Sequence, residues 1–245
     1  MTQGIETTMS LIGPEEKEHS NEIEVLKRLL NFDGAKVLEL GCGAAEKTRM
    51  ISEMTNVESI VASEVDEIQQ RKNLQVKNLN KVTFTSFGAE NIVADDQTFD
   101  IVLMFKSLHH VPLDQLDTAL QEIHRVLRPG GMAYISEPVF DGPFNNIMRV
   151  YHDEEAVRQA AFDAVQRSVR SGLFKLETEC FFENRIQMES WDQYERNMLG
   201  VTHTEHKLSA DQYIEVKRRF EESKTEQGFV YHIPNRVDLL AKADA

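Results

Sequence analysis

Short apolar runs alternate with amphipathic stretches over the first half of the chain. The runs are residues 36–40, 59–63, 82–84, 99–105 and 132–136, and Ile101-Val102-Leu103-Met104 is unbroken by any polar side chain. Such continuous runs are strands buried on both faces, as in a parallel sheet between helical layers. Between them lie helical patterns. One covers 15–30 with Ile23, Leu26 and Leu30, one carries Met50, Ile51 and Met54, and a polar one starts at Asp66. The clearest has Leu113, Leu116, Leu120, Ile123 and Leu127 at offsets of 3, 4, 3 and 4, a single apolar stripe on a helix. Arg128-Pro129-Gly130-Gly131 stops it. Strand and helix repeated with short joins predict a doubly wound α/β sheet of Rossmann type.

After Pro138 the pattern changes. Asp153 is placed to cap a helix carrying Val157, Ala160, Ala161, Ala164 and Val165 and ending near Gly172. Residues 176–186 form a strand pattern, with Leu176, Thr178, Cys180 and Phe182 on one side. Ser190-x-x-Gln193 and Ser209-x-x-Gln212 match the capping box that opens a helix. Residues 229–233 are a last strand, continued by 237–240. The expected organisation is a segment and helix at 1–34, an α/β core at 35–138, a mostly helical insertion at 139–225 and a closing strand at 226–245. The fold class is α/β, a mostly parallel seven-stranded sheet with its elaboration after the fifth strand.

Composition narrows the function. The chain has 245 residues, with 27 basic against 41 acidic side chains and a net charge of −14. That balance disfavours a nucleic-acid partner, since phosphate neutralisation needs clustered Lys and Arg. Cys42 and Cys180 are too few for a disulfide framework. No apolar run approaches a membrane span and residues 1–14 lack a signal-peptide plan, so a cytoplasmic protein is expected.

The residues with chemistry cluster around the strand ends. Glu39-Leu40-Gly41-Cys42-Gly43 places two glycines between a strand and a helix, where backbone can approach a ligand closely. A dinucleotide fingerprint needs a third Gly or Ala at position 46, where Glu46 stands, so a nicotinamide oxidoreductase is disfavoured. Glu64 ends the second strand, 21 residues beyond Gly43, at the distance of an acid that accepts ribose hydroxyls.

These pieces, with Ala89-Glu90, Phe99-Asp100-Ile101-Val102, Leu108-His109-His110-Val111 and Arg125-Val-Leu-Arg-Pro-Gly-Gly131, occur in an order that resembles the class I S-adenosylmethionine-dependent methyltransferases. The subgroup most similar holds the ubiquinone and menaquinone C-methyltransferases and related small-molecule enzymes. The resemblance implies S-adenosyl-L-methionine as cofactor. It places Glu39, Gly41, Cys42 and Gly43 around the methionine end, Glu64 on the ribose and Val65 on the adenine. Gly88, Ala89 and Glu90 would border the adenine edge, and Phe105 and Lys106 the amino acid moiety.

Three departures from the common pattern stand out. Ala45 replaces a third glycine, Gly88 replaces an Asp that bonds the adenine amino group, and Phe105-Lys106 replaces small polar residues. Glu90, Asn91 or a backbone carbonyl must then serve the amino group. His109, His110, Tyr151, Trp191 and Tyr194 are candidates for the acceptor pocket, weighed against plain packing. Neighbouring side chains diverge on a helix or a loop, so His109 and His110 are not expected to share a metal, and none is predicted. His203-x-x-His206 is read as surface histidine, and no general base is identified. The leading expectation is methyl transfer to a small molecule. The alternatives are a non-catalytic S-adenosylmethionine-binding protein and an enzyme acting on a macromolecule.

Overall fold

The computed structural model describes residues 9–200 and 208–243. Its strands are β1 (Glu18–His19), β2 (Lys36–Leu40), β3 (Ser59–Ser63), β4 (Val82–Thr85), β5 (Phe99–Phe105), β6 (Leu127–Pro138), β7 (Phe174–Met188) and β8 (Phe229–Lys242). They form one sheet in the order β1-β7-β8-β6-β5-β2-β3-β4. β4, β3, β2, β5 and β6 run parallel, and β8 lies antiparallel between β6 and β7. From β2 the chain builds outward to β3 and β4, then crosses back to β5 and β6. The strand order reverses between β2 and β5, and in such sheets ligands sit in the crevice outside the carboxyl ends of the strands at that point.

The apolar runs are explained by what covers each face. Leu38, Leu40, Val102, Met104 and Ile135 face one core with α4 (Leu116–Val126) and α6 (Glu155–Arg170). Val37, Ile60, Ile101, Leu103 and Tyr134 face the other, with α1 (Glu22–Leu29) and α2 (Glu46–Met54). Successive residues of a strand point to opposite faces, so both parities must be apolar. The far ends of β7 and β8 leave this sandwich and carry a satellite core. Phe144 and Ile147 of α5 (Gly142–Met148), Trp191 and Tyr194 of α7 (Trp191–Tyr194), and Val216 and Phe220 of α8 (Ala210–Glu222) pack there with Phe229 and Tyr231. A π-helical turn, Glu195–Leu199, extends α7.

Several boundaries differ from the sequence expectation. The helix expected over 15–30 begins at Glu22, because the Asn21 side chain accepts from the N–H groups of Ile23 and Glu24. Residues 18 and 19 instead pair with β7, which makes eight strands rather than seven. Leu113 and Leu127 are not helical: Leu113 starts an exposed 3₁₀ turn, and Leu127 already pairs with Phe99. A bulge between Leu176 and Thr178 splits the predicted face of β7, so that Leu176 joins the α4–α6 side while Cys180 and Phe182 join the other. The capping box at Ser209 and Gln212 is reciprocal, as its spacing predicts. No helix among the described residues is long and apolar enough to cross a membrane.

One polar contact ties α1 to the middle of the sheet. The buried Glu22 carboxylate accepts from the Tyr134 hydroxyl at 2.7 Å and the Ser136 hydroxyl at 3.0 Å. Tyr134→Phe leaves that carboxylate one donor short, which is expected to cost about 1–3 kcal/mol in urea unfolding. A change below about 0.5 kcal/mol would show that the contact does not fix α1.

Candidate active site

β2 delivers Glu39 and the glycine loop to the crevice. Gly41 and Gly43 adopt left-handed backbone, at φ of 72° and 53°. A Cβ at Gly41 would lie 2.6 Å from that of Ser107, whereas a Cβ at Gly43 would meet nothing within 4 Å. The first glycine is therefore required by packing, and the second faces open space. The N–H groups of Gly41 and Cys42 both donate to the Ser63 carbonyl at 2.9 Å, stitching the loop to β3. Ala45, at φ of 57°, is left-handed although it carries a Cβ, and precedes α2. That geometry costs a non-glycine residue about 1–2 kcal/mol.

Two acids flank the loop. Glu64 is buried rather than a solvated strand end. It accepts from the Gly43 N–H at 2.7 Å and the Asp66 N–H at 2.8 Å, with capacity left on both oxygens. Glu39 is also buried and accepts from the Thr48 hydroxyl at 2.6 Å. No basic group lies within 4.0 Å of it among the described residues. Burial pushes its carboxyl up to about 7 against the Thr48 bond and the Lys47 charge, and nearby Glu64 adds to the rise. A carboxylate held in that condition is complementary to a ligand ammonium.

β3 and β4 supply the next wall. Val65 is 64% exposed although apolar, directly after Glu64. Ala89 is buried, and the Glu90 carboxylate folds back over Gly88 into the volume that a side chain at position 88 would fill. An acid thus stands where the missing aspartate would project, delivered from two residues further along. The Ser63 hydroxyl holds this turn by bonding both the N–H and the carbonyl of Phe87.

β5 and β6 end in a buried ionic network. Phe105 packs on Tyr134 with the Lys47 ammonium 5.6 Å from its ring centre. Lys106 has left-handed backbone at φ of 55° and is half-buried, and burial pulls its ammonium below the usual lysine range. No carboxylate lies within 4.0 Å of that ammonium among the described residues. His109 is buried, its Nδ1 on Glu137 and its Nε2 3.5 Å from Glu154. Burial opposes the imidazolium, but the two carboxylates prevail and raise His109 to about 9. The second Glu137 oxygen accepts from the Leu108 N–H at 2.9 Å, and Arg158 and His152 both donate to Glu154. His110 is exposed, and partial desolvation and the His109 charge lower it.

The remaining candidates are elsewhere. Trp191 stacks on Tyr194 at 5.4 Å, and both rings are buried against Phe220 inside the satellite core. Tyr151 reaches that core through its hydroxyl, 3.1 Å from the Tyr194 hydroxyl. His203 and His206 lie outside the described residues. The sequence reading missed Thr48, Asn73, Glu137, Glu154 and Arg158. Asn73 donates to the Gly43 carbonyl at 2.8 Å from α3 (Glu67–Asn73), and its signal was only a polar residue on a polar helix. Glu137 had a readable one, an acid before Pro138 at the end of a buried strand.

Comparison with known proteins agrees with this geometry. Residues 37–131 match a family model described as a methyltransferase domain. The chain is 29% identical over 164 residues to the demethylmenaquinone methyltransferase of Staphylococcus epidermidis, covering 58% of this chain and 66% of that one. It is 30% identical over 125 residues to a ubiquinone/menaquinone biosynthesis C-methyltransferase of a Shewanella species, covering 49% and 48%. The match thus spans just under two thirds of the first relative and about half of the second. The fold superposes on the YcgJ protein of Bacillus subtilis with a TM-score of 0.63 at 16% identity, covering 91% of this chain and 97% of that one. The glycine loop, the two acids and strands β3, β4 and β5 fall inside the matched segment, and the matches support a class I S-adenosylmethionine-dependent methyltransferase family for it.

Proposed function

We propose that the chain transfers a methyl group from S-adenosylmethionine to a small-molecule acceptor in the crevice above β2 and β5. The observation that carries the reading is the pair of buried acids beside an open left-handed glycine loop. Glu39 lacks a cation, Glu64 keeps acceptor capacity on both oxygens, and the space at Gly43 is free. These features fit the ammonium, the ribose diol and the sulfur chain of the cofactor, which when bound supplies an already activated methyl group.

The work of this chain is then placement. Glu39 holds the ammonium and the backbone of Gly41, Cys42 and Gly43 runs along the methionine end, with buried Cys42 as filler. Glu64 takes the ribose hydroxyls, Val65 covers the adenine, and the Glu90 carboxylate over Gly88 receives its amino group beside Ala89. Phe105 walls the sulfonium end. Lys106 is left to meet a negatively charged or acidic acceptor, with His109 and His110 at the rim. The two relatives compared above are named for menaquinone and ubiquinone methylation, and an acidic ring hydroxyl is one group that such an ammonium would meet. From the described part of 139–225, Glu154 and Arg158 border the site beside His109, and Tyr151 leads from there to Tyr194 and Trp191 in the satellite core. Alignment and water exclusion, rather than a strong base, carry the rate.

The direct test is a screen of phenolic, enolic and carboxylate metabolites for release of S-adenosylhomocysteine. At least one should turn over with kinetics that saturate, and cofactor binding without turnover of any class would leave a binding protein. The cofactor site is tested separately. Glu64→Ala removes charge-assisted bonds of about 1.5–3 kcal/mol, so affinity for S-adenosylhomocysteine should fall about 10- to 100-fold in calorimetry. The ligand-free melting temperature should fall too, because the Gly43 and Asp66 N–H groups lose their acceptor. An unchanged dissociation constant would remove Glu64 from the site.

A further inference from the structure

The network at the ends of β5 and β6 holds more nitrogen and oxygen ligands than acceptor binding requires. We infer that His109, His110 and Glu154 form a three-residue site for a zinc-class dication, its fourth position left to water. The site stands beside the proposed methyl-transfer chemistry, and its occupancy does not depend on it.

The geometry supports this on four counts. First, ligand atoms of His109, His110 and Glu154 all lie within 4.8 Å of one another. The Glu154 oxygen Oε1 is 3.5 Å from His109 Nε2 and 2.8 Å from His152 Nε2. Tetrahedral zinc with bonds of about 2.0–2.1 Å has ligand–ligand edges of about 3.3 Å, so the separation of His109 Nε2 from Glu154 Oε1 is already close to one edge. The remaining separations require the exposed His110 side chain to turn toward the other two ligands. Second, the local backbone defeats the divergence expected of adjacent histidines. Leu108–His110 is a 3₁₀ turn, and the His109 and His110 ring centres are 4.1 Å apart.

Third, the ligands are oriented from behind. Glu137 occupies His109 Nδ1 and is itself fixed by the Leu108 N–H, the carboxylate–histidine arrangement that presents Nε2 to a metal, and the ion takes the place of the Nε2 proton, which binding releases. Arg158 takes the other Glu154 oxygen at 2.5 Å, which leaves Oε1 among the imidazoles. Fourth, the donor set and charge suit a borderline dication. Imidazole nitrogens with one carboxylate oxygen are zinc-type ligands, and two buried carboxylates border the site. His110 is on the surface, which supplies an entry path.

The test uses the full chain without an affinity tag, stripped by chelator and titrated with Co(II), with zinc content measured in parallel. The expected result is one ion per chain and a visible absorption band of four-coordinate Co(II). His110→Ala should weaken Co(II) binding at least about 100-fold, and Glu137→Gln about 10- to 100-fold. His110 is exposed, so circular dichroism should show that variant folded as the parent. His19, Glu183 and His232 form a second cluster at the outer strands and serve as the comparison. The double variant His19→Ala, His232→Ala should keep the tight ion. Absence of stoichiometric binding overturns the site. So does binding that survives His110→Ala or vanishes in the double variant.

Discussion

Everything at the crevice depends on two carboxylates buried at the ends of neighbouring parallel strands. Glu39 closes β2, Glu64 follows β3, and the glycine loop is stitched between them. Glu64 is satisfied by backbone N–H groups, but Glu39 has a hydroxyl where a cation is wanted. Raising that carboxyl from 4.5 to about 7 means that the ionised form costs the fold about 3 kcal/mol above pH 7. By linkage, stability falls as pH rises from 4.5 through 7, because the folded state holds the proton that the unfolded chain has released. A fold that carries such a deficit at the mouth of an open loop is built for a cationic ligand.

The same constraint explains the surrounding geometry. Gly41 has no Cβ because Ser107 is in the way, and Ala45 accepts left-handed strain to keep the loop path. Glu90 folds over Gly88, so a carboxylate fills the space that a side chain at 88 would take. The second ionic network, from Glu137 through His109 to Glu154 and Arg158, closes the other side of the crevice with opposite logic. There each charge has a partner, which fixes side chains on three different elements.

The sheet was legible from sequence because its strands are buried on both faces and leave continuous apolar runs. β2, β3 and β5 fall on those runs, residue for residue. The glycine loop and Glu64 were legible because they sit next to strand ends at a fixed spacing. The N-terminal strand was not, since two exposed residues pairing at an edge carry no periodicity. Nor was the split face of β7, because a bulge inserts one residue without changing the composition. The aromatic residues of 139–225 were legible as a cluster but not as an interior. Only the fold shows that Trp191 and Tyr194 stack on each other. The His109 network is assembled from β6, a 3₁₀ turn and the start of α6, a long-range arrangement that spacing does not encode.

The central claim, that the cofactor ammonium completes Glu39, is tested most directly by counting protons. Calorimetry of S-adenosylhomocysteine binding at pH 6, repeated in buffers of different ionisation enthalpy, gives the number released per ligand bound. Free Glu39 is mostly protonated there and must ionise to pair with the ammonium, so the account predicts release of close to one proton per chain. Glu39→Gln should bind more weakly and release almost none. Release of no proton by the parent chain, or the same release by Glu39→Gln, would contradict the account.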